Sequence, residues 1–150
     1  MSPGNAENST EVMFFEGWLR TLLWVIGATS ILNGLAMYTV PNDWFVTVPG
    51  VVDTGPFNGH FVRDVGAAYM AMGAAVILAI RVPQARLPLL LVASIFAGGH
   101  ALRHVVEWGT VEGAHHNWIA DATAVVLPAI IVLIATAILW RDRNVTNQNQ

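Results

Sequence analysis

The chain has 150 residues, of which 55 % are hydrophobic and only 11 % charged, and its net charge is −3. A soluble domain carries about 25 % charged residues, so a mean hydropathy of +0.54 fits a membrane protein instead. With no basic excess, nucleic acid is excluded as a partner, and the lipid bilayer is the expected one. There is no lysine and no cysteine, which rules out disulfides, thiolate catalysis, iron–sulfur clusters and cysteine-type zinc sites.

Residues 1–13 form a polar, acidic tail with Glu7 and Glu11. It lacks the basic start, short apolar run and small-residue cleavage site of a secretory signal, so the first apolar run is expected to stay as a span. That run, 14–38, exceeds what a ~30 Å hydrocarbon core requires at about 1.5 Å per residue. Pro41-Asn42-Asp43 ends it. A connection of about twenty residues follows, longer than most links in compact domains. It is rich in Pro, Gly and Asn and carries Trp44, Phe45 and Phe57. Aromatic residues suit the headgroup region, so this stretch reads as a surface loop capping the bundle.

The second span covers 61–81, and the short link to Arg86 forces the third, 87–108, to run back beside it. Pro88 falls in the first turn of the third span, where its missing N–H costs nothing. A link with two glycines, Glu112 and the His115-His116 pair leads to the fourth span, 117–140, which Pro128 should bend. Residues 142–150 form a polar tail. The fold expected for 14–141 is all-α: a four-helix transmembrane bundle, antiparallel and up-down-up-down. Arg20, Arg81, Arg86, Arg141 and Arg143 lie toward one side and only Arg63 and Arg103 toward the other. By the positive-inside tendency both termini are cytoplasmic.

On such a bundle His60, Arg63, Asp64, His100, Arg103, His104, Glu107 and Asp121 fall at roughly one depth, with Asn33 from the first span near them. Ionisable side chains are costly in lipid, so this cluster marks a site facing outward. His60 and Asp64 share a helical face with the small residues Ala67, Ala71, Ala74 and Ala75, which would turn that face inward. His100, Arg103, His104 and Glu107 lie on one stripe of the third span. Three chemistries fit. One is a site for a small molecule, substrate or proton, for which histidine is suited. Another is a divalent metal held by His100, His104 and Glu107, completed by His60, Asp64 or Asp121, or a haem between histidines of two helices. The third is a structural network pairing Arg63 with Glu107 or Asp121 and Arg103 with Asp64. The two arginines count against a cation. Met37, Met70 and Met72 read as packing, and Trp18, Trp44, Trp108 and Trp140 as interfacial anchors.

The stretch His60-Phe61-Val62-Arg63-Asp64-Val65-Gly66-Ala67-Ala68-Tyr69, with His100-Ala101-Leu102-Arg103-His104, resembles segments of small bacterial four-helix membrane proteins of the DoxX-like group. The resemblance implies a multi-pass bacterial inner-membrane protein with a redox or respiratory accessory role, and it transfers no catalytic residue. Alternative roles of another class are an accessory subunit on a larger membrane complex, or the protomer of a homo-oligomeric transporter or channel.

Overall fold

The structure is a computed structural model and describes residues 17–110 and 118–148. Its described residues are helical with no strand. The long helices are α1 (Trp18–Thr39), α3 (Gly59–Arg81), α4 (Arg86–Thr110) and α6 (Leu127–Gln148); the short ones are α2 (Pro41–Thr47) and α5 (Trp118–Asp121). A π-helical turn, Ala122–Val126, joins α5 to α6 without a break. Four helical stretches are long and apolar enough to cross a membrane: Trp18–Thr39, Gly59–Arg81, Pro83–Gly109 and Trp118–Asn144. Their outward faces carry large apolar side chains such as Leu32, Ile95 and Leu102, each more than half exposed, which suits hydrocarbon rather than water.

The helices start and stop for local reasons. Pro41 opens α2 at its first turn, where proline costs no hydrogen bond. Asn58 caps α3, its side-chain oxygen accepting from the N–H groups of His60 and Phe61 at 3.1 Å each. Beyond the fourth apolar run nothing breaks the helix, since neither Pro nor Gly follows Pro128. The polar residues from Arg141 onward therefore extend α6 to Gln148 rather than forming a separate tail. The π turn lies immediately before Pro128, whose ring would crowd the carbonyl one turn back in a regular helix. Widening that turn, with Leu127 N–H reaching back to Ala122 O, relieves the conflict, so the irregularity expected at Pro128 takes the form of a π turn.

α1 and α3 touch backbone to backbone. Glycines seven apart on each helix meet in register, Gly27 with Gly73 and Gly34 with Gly66. A β-carbon on Gly73 would stand 2.6 Å from Gly27 O, and one on Gly66 would stand 2.7 Å from Gly34 O. Small residues permit this approach, and in lipid, packing of this kind is a main source of helix association. The stripe Val62, Gly66, Met72, Gly73, Val76 and Ile80 is buried, whereas His60, Asp64, Ala67 and Ala71 are exposed. Of the alanines expected to face inward, Ala75 is buried and Ala74 half-buried, so the inward face is set by the glycines together with Ala75 and not by Ala67 and Ala71.

α4 meets α6 through a buried polar pair. Ser94 Oγ lies 2.8 Å from Thr136 Oγ1, which also reaches Val132 O at 2.8 Å and Leu90 O at 3.3 Å. Around and beyond this pair, toward Arg20, Arg81 and Arg86, the core is aliphatic: Leu19, Leu23, Val76, Leu90 and Val132 are almost fully buried. At that end Arg86 Nε donates to Ala79 O at 3.1 Å and the Arg81 guanidinium lies 5.8 Å from the Trp24 ring centre. At the other end the connection from α1 to α3 is not a bare loop. Trp44 of α2 donates its indole N–H to Asn33 Oδ1 at 2.9 Å, and Phe45 meets Phe57 edge-on at 5.3 Å, which folds the segment back onto α1.

Candidate functional site

The polar side chains divide into groups rather than sharing one pocket. The central group is a string. Tyr69, ten residues into α3, puts its hydroxyl 2.8 Å from His100 Nε2 on α4. His100 stands edge-on to His104, with ring centres 4.8 Å apart. His104 Nδ1 then lies 3.3 Å from Asp121 Oδ2 at the end of α5. Spacing of four along α4 stacks the two imidazoles on one face. At about 1.5 Å per residue the string falls from roughly 15 Å inside the helix ends to their outer turn.

Aromatic rings enclose it. Phe96 stacks nearly parallel to His100, with centres 6.0 Å apart and planes 5° apart, and Tyr69 meets Phe96 edge-on at 5.1 Å. Trp108 Nε1 donates to Asp121 Oδ2 at 3.3 Å. The side chains of His104 and Asp121 keep only 24 % and 21 % exposure. His104 Nδ1 is close to the carboxylate yet is not aligned with it, and so makes no hydrogen bond among the described residues although it is buried. The two observations agree: the separation is that of an ion pair and the angle is not that of a hydrogen bond. A buried nitrogen left in this way costs about 1–3 kcal/mol, and a small ring rotation toward Asp121 would recover it. The π turn begins at Ala122, the residue after Asp121, so the extra width of that turn sets where this carboxylate points. Thr123 ties the same turn back through its hydroxyl to Ile119 O at 2.7 Å.

The other expected site residues stand apart. Arg103 pairs with Glu107 one turn along the same helix, not with Asp64. His60 Nε2 lies 3.5 Å from Asp64 Oδ2, with 88 % and 63 % of the two side chains exposed. That pair lies opposite the glycine seam and does not enter the bundle. Arg63 reaches neither Glu107 nor Asp121. Its Nε donates to Tyr38 O at 3.2 Å and its Nη1 to Gly59 O at 3.1 Å, capping the end of α1. Asn33 holds Trp44 and is taken up by that bond.

The metal set of His100, His104 and Glu107 is likewise not assembled. Among the described residues no three histidines and carboxylates gather to hold a metal ion. His100 Nε2 is turned to a phenol, and Glu107 is held by an arginine. A haem between histidines of two helices fares no better among these residues, because His100 and His104 share α4 and His60 faces outward. Glu112, His115 and His116 lie outside the described residues. The sequence reading missed Tyr69 and Trp108 as partners. Tyr69 follows Val62 and Gly66 at helical spacing on the buried stripe, and Trp108 lies one turn after His104; those spacings are the signals that reveal them. Comparisons with family models, with curated proteins and with solved structures find no match to this chain.

Proposed function

We propose that this chain is a multi-pass protein of a bacterial inner membrane, an up-down-up-down bundle with both termini in the cytoplasm. In this reading Tyr69, His100, His104 and Asp121 pass protons between the middle of the membrane and its outer face. The observation that carries it is the unbroken neighbourhood from the Tyr69 hydroxyl through two imidazoles to a shielded carboxylate. Each member can give and take a proton; His100 Nε2 faces Tyr69 and His104 Nδ1 faces Asp121, while the two imidazoles meet edge-on. Structural networks usually satisfy their buried nitrogens; the Nδ1 of His104, without a hydrogen bond among the described residues, favours a group that changes partner. Glycine and side-chain registers, Gly27 against Gly73 and Ser94 against Thr136, support antiparallel neighbours, and the arginine imbalance supports the orientation. A place in the DoxX-like group belongs to the same proposal. It is supported by the two resembling stretches, whose Tyr69 and His100 are hydrogen-bonded partners.

The test uses full-length protein labelled with 15N-histidine in lipid nanodiscs, read by NMR exchange at the imidazole nitrogens. Asp121→Asn is expected to slow proton exchange at both His100 and His104 by about tenfold or more, within the usual contribution of a placed acid–base group. Glu107→Gln should leave it within about twofold. Unchanged exchange in Asp121→Asn overturns the relay.

A further inference from the structure

A second site lies at the outer corner where α1 turns into α2 and α3 begins. A cleft of about 270 Å³ opens there, bordered by Pro41, Asn42, Asp43, Phe57, Gly59 and Arg63. Two opposite charges flank it without meeting. Neither Arg63 nor Asp43 forms an ion pair among the described residues.

The corner is firmly built. Arg63 is anchored by donation to Tyr38 O and Gly59 O. That uses two of the five guanidinium donors and leaves three for a ligand. Phe57 is propped against Phe45. Gly59 leaves the space open: a β-carbon there would stand 3.1 Å from the Phe57 ring and 3.3 Å from Arg63 Nη1. The cleft also lies at one depth, where α1 has just ended at Thr39 and α3 starts at Gly59. For membrane-crossing helices of this length, that depth is the headgroup layer.

A ligand matching this corner has an anionic group for a guanidinium, an ammonium for a carboxylate bordering the same cleft, and a tether toward the hydrocarbon. We propose that the cleft binds the headgroup of a zwitterionic, amine-bearing phospholipid, with the phosphate on Arg63 and the ammonium on Asp43 and Asn42. Arginine suits phosphate because its planar fork can present two parallel N–H groups. A purely anionic lipid would satisfy Arg63 and leave its glycerol opposite Asp43. This inference depends on the membrane reading but not on the proton relay.

Native mass spectrometry of the full-length protein in detergent, offered equal phosphatidylethanolamine and phosphatidylglycerol, tests it. The first bound lipid should be phosphatidylethanolamine by about fivefold, the preference expected of one exposed ion pair. Asp43→Asn removes only the charge of a side chain with no hydrogen bond or ion pair among the described residues. It should keep the fold by circular dichroism and bring the preference within about twofold. Arg63→Gln should weaken retention of both lipids. Equal retention of the two lipids by the unmodified protein, or an unchanged preference in Asp43→Asn, overturns the proposal. Displacement of the lipid by an equal concentration of soluble O-phosphoethanolamine would assign the cleft to a free zwitterion, which overturns the lipid assignment.

Discussion

Gly73→Ala should loosen the bundle through one added carbon. The new β-carbon would stand 2.6 Å from Gly27 O and 2.9 Å from Ile31 Cγ1. A comfortable carbon–oxygen approach is about 3.3 Å, so the α1 and α3 backbones must part by roughly 0.7 Å. Gly27 O and Ile31 N, the latter 3.0 Å away, are backbone atoms, so the strain cannot escape by a rotamer change. Overpacking of this kind costs about 1–3 kcal/mol. Gly99→Ala supplies the contrast on α4, since a β-carbon there meets nothing within 4 Å; alanine should then gain up to about 1 kcal/mol from helix propensity alone. The two variants should therefore differ by about 1–4 kcal/mol, read as a shift in reversible unfolding in mixed detergent micelles followed by circular dichroism. If Gly73→Ala proves as stable as Gly99→Ala, the backbone contact between α1 and α3 is not what the reasoning takes it to be.

Thr136→Val keeps the shape of the side chain but strands Ser94 Oγ. It should cost about 1 kcal/mol in the same unfolding assay, near the usual worth of a hydrogen bond between membrane helices. Trp44→Phe removes the indole N–H that Asn33 accepts, so limited proteolysis between residues 40 and 58 should speed up about fivefold, the equivalent of losing about 1 kcal/mol of local stability. Deleting Ala124, an exposed residue of the π turn, should let that turn tighten to ordinary α-helix. Asp121 would then swing by about 100° relative to α6, and imidazole exchange at His104 should slow as in Asp121→Asn while the helical content holds. Retained exchange would show that the wide turn does not aim this carboxylate.

The four long helices were readable because uninterrupted apolar runs leave the backbone no other way to satisfy its hydrogen bonds in lipid. The site was readable in part. His100, His104 and Asp121 do converge, because spacing of four on one helix and matched depth on the next are both written in the sequence. His60 and Asp64 share a face as expected, but that face turns outward. Alanines occur on several faces of α3, whereas the decisive contact uses Gly66 and Gly73, seven apart, with a matching pair on α1. Side-chain type alone does not show which small residue meets another backbone. Arg63 was expected to seek a carboxylate, yet the free carbonyls ending α1 were nearer. The π turn had one sign, Pro128, and proline announces an irregularity without saying which kind.

The aliphatic packing of Leu19, Leu23, Val76, Leu90 and Val132 has a consequence for the cell that makes this protein. Below His100 the only buried polar groups shared by α4 and α6 among the described residues are the hydroxyls of Ser94 and Thr136, and these are occupied with each other and with nearby carbonyls. In the proposed relay, the half of the bundle toward Arg20, Arg81 and Arg86 would then offer no onward path for a proton between these two helices. On that proposal an energised bilayer could carry many copies without leaking its ion gradient.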